Sequence, residues 1–172
     1  MSGLVALALS IGGLGGVATW LALSPLAGMV TIWAIFIAWG SFFHNGADTA
    51  ALKNNIVCGI FGSIMAGIAF ALITNVGLGS LPVTAAVWVG VAVFVLVFAS
   101  QVPALSVIPT AVYGFAATAA YAIHAEPGLA ATAKTLALDF SNPVIVISLS
   151  LIVGSVFGLL SGKLSGMLTS GE

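Results

Sequence analysis

His44-Asn45-Gly46-Ala47-Asp48-Thr49-Ala50-Ala51-Leu52-Lys53-Asn54-Asn55 decides how the chain folds. Asp48 is its first charged side chain, and no Asp, Glu, Lys or Arg follows from Asn54 to Ala125. On either side lie apolar runs near the ~20 residues that an α-helix needs to cross a bilayer. The polar stretch therefore reads as the connection between two spans. Polar groups this scarce must each be solvated by water or by a partner. A second such stretch lies between His124 and Asn142.

Outward from that connection, the composition has one reading. The 172 residues hold 3 Lys+Arg and 4 Asp+Glu, with 61% apolar residues and a mean hydropathy of +1.28. A soluble domain carries about 25% charged residues, so hydrocarbon must be the solvent. The expected fold is an all-α membrane protein, a single integral membrane domain over residues 1–172 with the lipid bilayer as its partner. Six spans fit: about Gly3–Leu23, Gly28–Phe43, Asn55–Thr74, Val83–Ala99, Pro103–Ile123 and Pro143–Leu160. The runs show no strict alternation, which argues against a barrel. The first run has no basic residue ahead of it and no good cleavage site, so it reads as a span and not a signal peptide.

The third and sixth spans look like counterparts. Asn55, Ser63 and Gly67 hold the same spacing as Asn142, Ser150 and Gly154, and a His and a Lys precede each set. This predicts an inverted repeat of three spans plus three, residues 1–75 and 82–166, an arrangement that recurs in transporters. Ala-rich Gly46–Leu52 and Gly128–Leu138 are expected to form short interfacial or re-entrant helices between spans 2 and 3 and between spans 5 and 6. Small residues at spacing four predict close helix packing at Gly59, Ser63 and Gly67 and at Gly154, Gly158, Gly162 and Gly166, with a shorter pair at Gly12 and Gly16.

Candidate solute-binding residues are few. Pro109 falls inside the fifth predicted span, where it should clash with the carbonyl of Leu105 and kink the helix. Ser106, Thr110 and Tyr113 would then line the break. Trp39 and Phe43 share a face with Phe36 and would narrow a passage. His44 would donate and accept hydrogen bonds at its mouth. Trp20 and Trp88 read as members of an interfacial belt.

Several classes are excluded. The net charge of -1 offers no basic patch for nucleic acid. The lone Cys58 permits no internal disulfide. Two histidines without an acidic cluster give no metal pattern, no cofactor motif occurs, and no nucleophile–base pair or carboxylate dyad suggests an enzyme.

Trp39-Gly40-Ser41-Phe42-Phe43-His44-Asn45-Gly46, Leu52-Lys53-Asn54-Asn55 and Ser106-Val107-Ile108-Pro109-Thr110-Ala111-Val112-Tyr113-Gly114 resemble the DUF1097 family. The resemblance covers nearly the whole chain. It implies a small bacterial inner-membrane protein and names no activity. The lysines place both termini in the cytoplasm by the positive-inside rule. From the residues themselves, the expected function is a homo-oligomeric channel or facilitator for a small polar uncharged solute, urea- or amide-like. The alternative is a non-transporting accessory subunit in a larger membrane complex.

Overall fold

A computed structural model describes residues 2–169. Among them are six α-helices and no strand. They are α1 (Gly3–Leu23), α2 (Ile32–His44), α3 (Thr49–Asn75), α4 (Leu81–Phe98), α5 (Ile108–His124) and α6 (Pro143–Thr169). Four segments are long and apolar enough to cross a membrane: α1, α3, α6 and Leu81–Gln101, which extends α4. The helix α2 has 13 residues and α5 has 17. At about 1.5 Å per residue, α2 is roughly 20 Å long, short of a hydrocarbon core of about 30 Å.

Local chemistry explains where the helices begin. The second span starts at Ile32, not near Gly28, because Gly28 sits at φ +80° in a turn that α-helical backbone cannot contain. The third starts at Thr49, because the Asp48 carboxylate accepts the Ala51 N–H at 2.7 Å and caps it. The expected separate helix over Gly46–Leu52 is thus a correction: Thr49–Leu52 is the first turn of a 27-residue helix. In the second connection the backbone forms a 3-10 helix over Pro127–Lys134, with Lys134 paired to Glu126.

Pro109 needs a second correction. It does not kink a helix interior. The chain passes through 3-10 turns at Ala99–Gln101 and Pro103–Leu105, and α5 opens at Ile108, so Pro109 occupies the first helical turn. There its missing N–H has no intrahelical partner to lose and its fixed φ suits the start. The clash with Leu105 does not arise.

Packing contacts give the helix directions. Gly59, Ser63 and Asn55 of α3 meet Gly114, Thr118 and Thr110 of α5 in ascending order, so these helices run parallel. Thr31, Ile35 and Trp39 meet Ser150, Gly154 and Ser161, so α2 and α6 also run parallel. Asn55 meets Ser155 while Gly67 meets Val144, so α3 and α6 cross antiparallel at the centre. The helix α1 lies against α6, with Gly3 beside Thr169, and α4 lies against α3. Both described chain ends are therefore at the His44 end of the bundle, and Lys134 is at the other.

Glycine permits the closest approaches. A Cβ on Gly62 would overlap the Ala111 carbonyl, and one on Gly114 would overlap the Gly59 carbonyl. Gly154 admits the Ile35 carbonyl, and Gly158 the ring of Phe42. Gly59, Ser63, Gly67, Gly154 and Gly158 pack as expected. Gly162 and Gly166 do not, nor do Gly12 and Gly16: a Cβ there would have no neighbour within 4 Å. The α6 stripe ends where α2 ends.

The surface is rich in large apolar side chains, and hydroxyl and amide groups are buried among the apolar core. Leu4, Trp20, Phe94, Phe98 and Leu138 are exposed, whereas Ser10, Asn55, Ser63, Thr118, Ser150, Ser155 and Ser161 are buried.

Candidate functional site: a furrow between α2 and α5

The helices α2 and α5 run antiparallel across one face, on top of the α3–α6 pair, and a furrow separates them. Two hollows lie along it. The first, about 430 Å³, is at the His44 end and is lined by Phe36, Ile37, Gly40, Ser41, His44, Tyr113 and Ala116. The second, about 350 Å³, is at the other end and is lined by Thr31, Trp33, Ala120, Tyr121, His124 and Ala125. Trp33 and Phe36 lie one turn apart on α2, as do Ala116 and Ala120 on α5, so the hollows are nearly continuous. Among the described residues, no Asp, Glu, Lys or Arg lines either one.

Behind the first hollow is a buried polar cluster centred on Asn55, which is 2% exposed. Its Oδ1 accepts from the Ser41 hydroxyl at 2.5 Å and from Asn45 Nδ2 at 3.3 Å. Its Nδ2 donates to the Ala38 carbonyl and to Ser155 Oγ, both at 2.8 Å. An amide has two donors and two acceptor positions, so Asn55 is saturated. Ser41 spends its one proton on Asn55, which leaves Thr110 to donate to Ser41 at 3.2 Å while it accepts from Asn45 at 2.8 Å. Ser155 donates in turn to the Leu151 carbonyl at 2.7 Å. Residues from α2, α3, α5 and α6 are thus tied at one point, as low-dielectric surroundings require of buried polar groups.

A void of about 10 Å³ lies between cluster and hollow, lined by Ile37, Ala38, Ser41, Asn55, Gly59, Thr110, Tyr113 and Leu151. That is about the space one water needs. Ser41, Tyr113 and Ile37 line both spaces, so these three side chains separate the open hollow from the void beside the cluster.

The structure brings together some of the expected residues and separates others. His44 and Tyr113 face each other across the first hollow, and Thr110 stands just behind it. Ser106 is elsewhere: it is exposed and its hydroxyl donates to the Pro103 carbonyl at 2.9 Å. Pro109 is exposed in the first turn of α5 and lines neither hollow. Trp39 is buried against α6, with its indole N–H on Ser161 Oγ at 2.9 Å and its ring tilted over Phe157. Phe43 packs beside it in the α1–α2–α6 core. Neither lines the furrow. Trp39 does hold Phe36 in place by parallel stacking, with centroids 5.7 Å apart, and Phe36 is the aromatic that reaches the hollow.

Sequence reasoning missed Ser41, Asn45 and Asn55 as partners. Their signal was present: an amide or hydroxyl inside an apolar run must find a bond within the protein.

A family profile, "Protein of unknown function (DUF1097)", matches residues 8–166. The chain belongs to the DUF1097 family. Six residues of this site, Ser41, His44, Asn45, Asn55, Thr110 and Tyr113, lie within the stretches quoted for the family resemblance. No curated protein and no solved structure matches the chain.

Proposed function

We propose that this DUF1097 protein is an integral membrane facilitator for a small, polar, uncharged solute, urea- or amide-like, and that the α2–α5 furrow is its route. One observation carries the reading: among the described residues, the two hollows at opposite ends of the α2–α5 furrow both offer hydrogen-bonding side chains and no charge. A neutral solute leaving water must replace its lost hydrogen bonds. His44, Ser41 and Tyr113 supply donors and acceptors at one end. Aromatic walls suit a flat molecule, and the absence of charged groups leaves a hydrated ion without compensation for its desolvation.

An inverted repeat supports the same reading. The helix α1 packs on α6 as α4 packs on α3, and α2 packs on α6 as α5 packs on α3, while α3 and α6 have 27 residues each. Such halves relate the two sides of a membrane. We place the protein in the bacterial inner membrane with both termini cytoplasmic, the side favoured by Lys53 and Lys163 over Lys134. The furrow is open along its side, and a second copy lying over it in a homo-oligomer would close it.

That open side also favours a second reading, a non-transporting subunit whose furrow seats a larger partner. Purification in mild detergent separates them: a homo-oligomer supports the first and a stoichiometric foreign protein the second. The direct test is acetamide entry into proteoliposomes. Entry should exceed that of empty vesicles and carry no current. Ala116→Trp, which fills the first hollow, should abolish the excess, whereas Val91→Trp on the exposed face of α4 should not. Equal entry through both variants removes the furrow from the route.

A further inference from the structure

We infer that the second hollow is itself a binding site for a small neutral amide, equivalent to the first but independently built. Two sets of observations meet there. The first is correspondence. Gly40, Ser41 and His44 line the first hollow from α2, and Ala120, Tyr121 and His124 line the second from α5 at the same spacing. Each hollow also receives one aromatic from the facing helix, Tyr113 in the first and Trp33 in the second. In both, a histidine and hydroxyl groups stand against aromatic carbon.

The second observation is an unmet hydrogen bond. Thr31 lines the second hollow, and its Oγ1 is shielded from solvent with no partner among the described residues. It does not cap α2, although Thr31 holds the N-cap position, and its backbone N–H is already given to Ser150 Oγ at 2.9 Å. A shielded hydroxyl without a partner costs stability, and valine would fill the same space without that cost. The cost is offset if a χ1 rotation turns the hydroxyl into the hollow to serve a ligand, since in its present rotamer Oγ1 is closed to the hollow as well as to solvent. The complementary ligand offers a carbonyl oxygen to Thr31 and an N–H to the ring nitrogen of His124 or the Tyr121 oxygen, with its flat face on Trp33. A primary amide has both groups in one plane. The ligand class rests on the proposed route, but binding is read without transport.

The four tryptophans make the test direct. In detergent-solubilised protein labelled with 5-fluorotryptophan, the Trp33 signal is assigned by its loss in Trp33→Phe. Titration with acetamide should move it along a saturable curve and leave Trp88 unmoved. Thr31→Val should weaken binding about tenfold with no loss of thermal stability, and Thr31→Ser should restore it. Tyr121→Phe tests the opposite wall and should also weaken it. A Trp33 signal that stays still or drifts linearly to the highest concentration overturns the site, even if vesicle uptake proceeds. So does a Thr31→Val protein that binds as the native protein does.

Discussion

Replacing Asn55 with leucine isolates the cluster that ties the helices together. The two side chains have the same number of non-hydrogen atoms, so Asn55→Leu removes polarity and leaves no cavity, although its methyl groups need more room than the hydrogen-bonded atoms they replace. Asn55 makes four hydrogen bonds, to Ser41, Asn45, Ala38 and Ser155. Two magnitudes compete. Orphaning a buried polar group costs about 1–3 kcal/mol for each group left unpaired. A side-chain hydrogen bond between membrane helices contributes about 0.6 kcal/mol on average. Here the lower figure governs, because each partner keeps another bond. Ser41 and Asn45 retain Thr110, Ser155 retains the Leu151 carbonyl, and the Ala38 carbonyl lies within α2. Four bonds at roughly 0.6 kcal/mol give a loss of about 2–3 kcal/mol. Ser10→Ala, whose buried hydroxyl bonds only to the Ala6 carbonyl of its own helix and leaves no group unpaired, should cost about a quarter of that. Reversible unfolding in mixed micelles, followed by helical circular dichroism, measures both. An Asn55→Leu protein no less stable than Ser10→Ala would show that the cluster does not hold the bundle together. A loss well above about 4 kcal/mol would show that the partners are orphaned and that the neighbouring bonds do not rescue them.

Two further predictions concern packing and orientation. Gly62→Val places a methyl in the Ala111 carbonyl and should abolish folding or lower the melting temperature sharply, whereas Gly162→Val meets no neighbour and should melt within a few degrees of the native protein in the same scan. In a Cys58→Ser background, a membrane-impermeant maleimide applied from outside should label Leu138→Cys, whose native side chain is 97% exposed, but not Ala50→Cys at the opposite end. The reverse labelling would invert the proposed orientation.

Much of the fold was legible because apolar run length dominates in this chain. The first helix runs from Gly3 to Leu23 as the sequence predicts. Boundaries failed where punctuation was ambiguous. Pro103 and Pro109 are six residues apart and either suits a first helical turn; the sequence alone favoured Pro103, and the 3-10 turn there moved the start to Ile108. Lys53 and Asn54 looked too polar for a span, yet the Asp48 cap carries the helix through them. The site was half legible. His44 and Tyr113 stood out by chemistry, but Trp39 and Phe43 were assigned to the furrow on helical spacing alone, and spacing does not say which neighbour a face meets. Gly62 and Gly114 escaped notice because each lies off the spacing-four stripes, and only the crossing of α3 over α5 brings a carbonyl onto them.

The parallel pairing of α2 with α6 has a consequence for biosynthesis. The helix that covers Ile35, Ala38 and Phe42 is made after the other five described helices. Until α6 emerges, α2 lacks its most extensive neighbour and the Asn55 amide lacks Ser155. In the proposed membrane setting the early helices therefore wait as a loose assembly with an unfinished polar core. Completion of α6 closes the groove on α2, supplies the missing hydroxyl and converts that assembly into one body in a single late step. A chain truncated before Pro143 would keep five helices and most of its apolar surface, yet present unmet polar groups to lipid, the kind of lesion that membrane quality control can recognise.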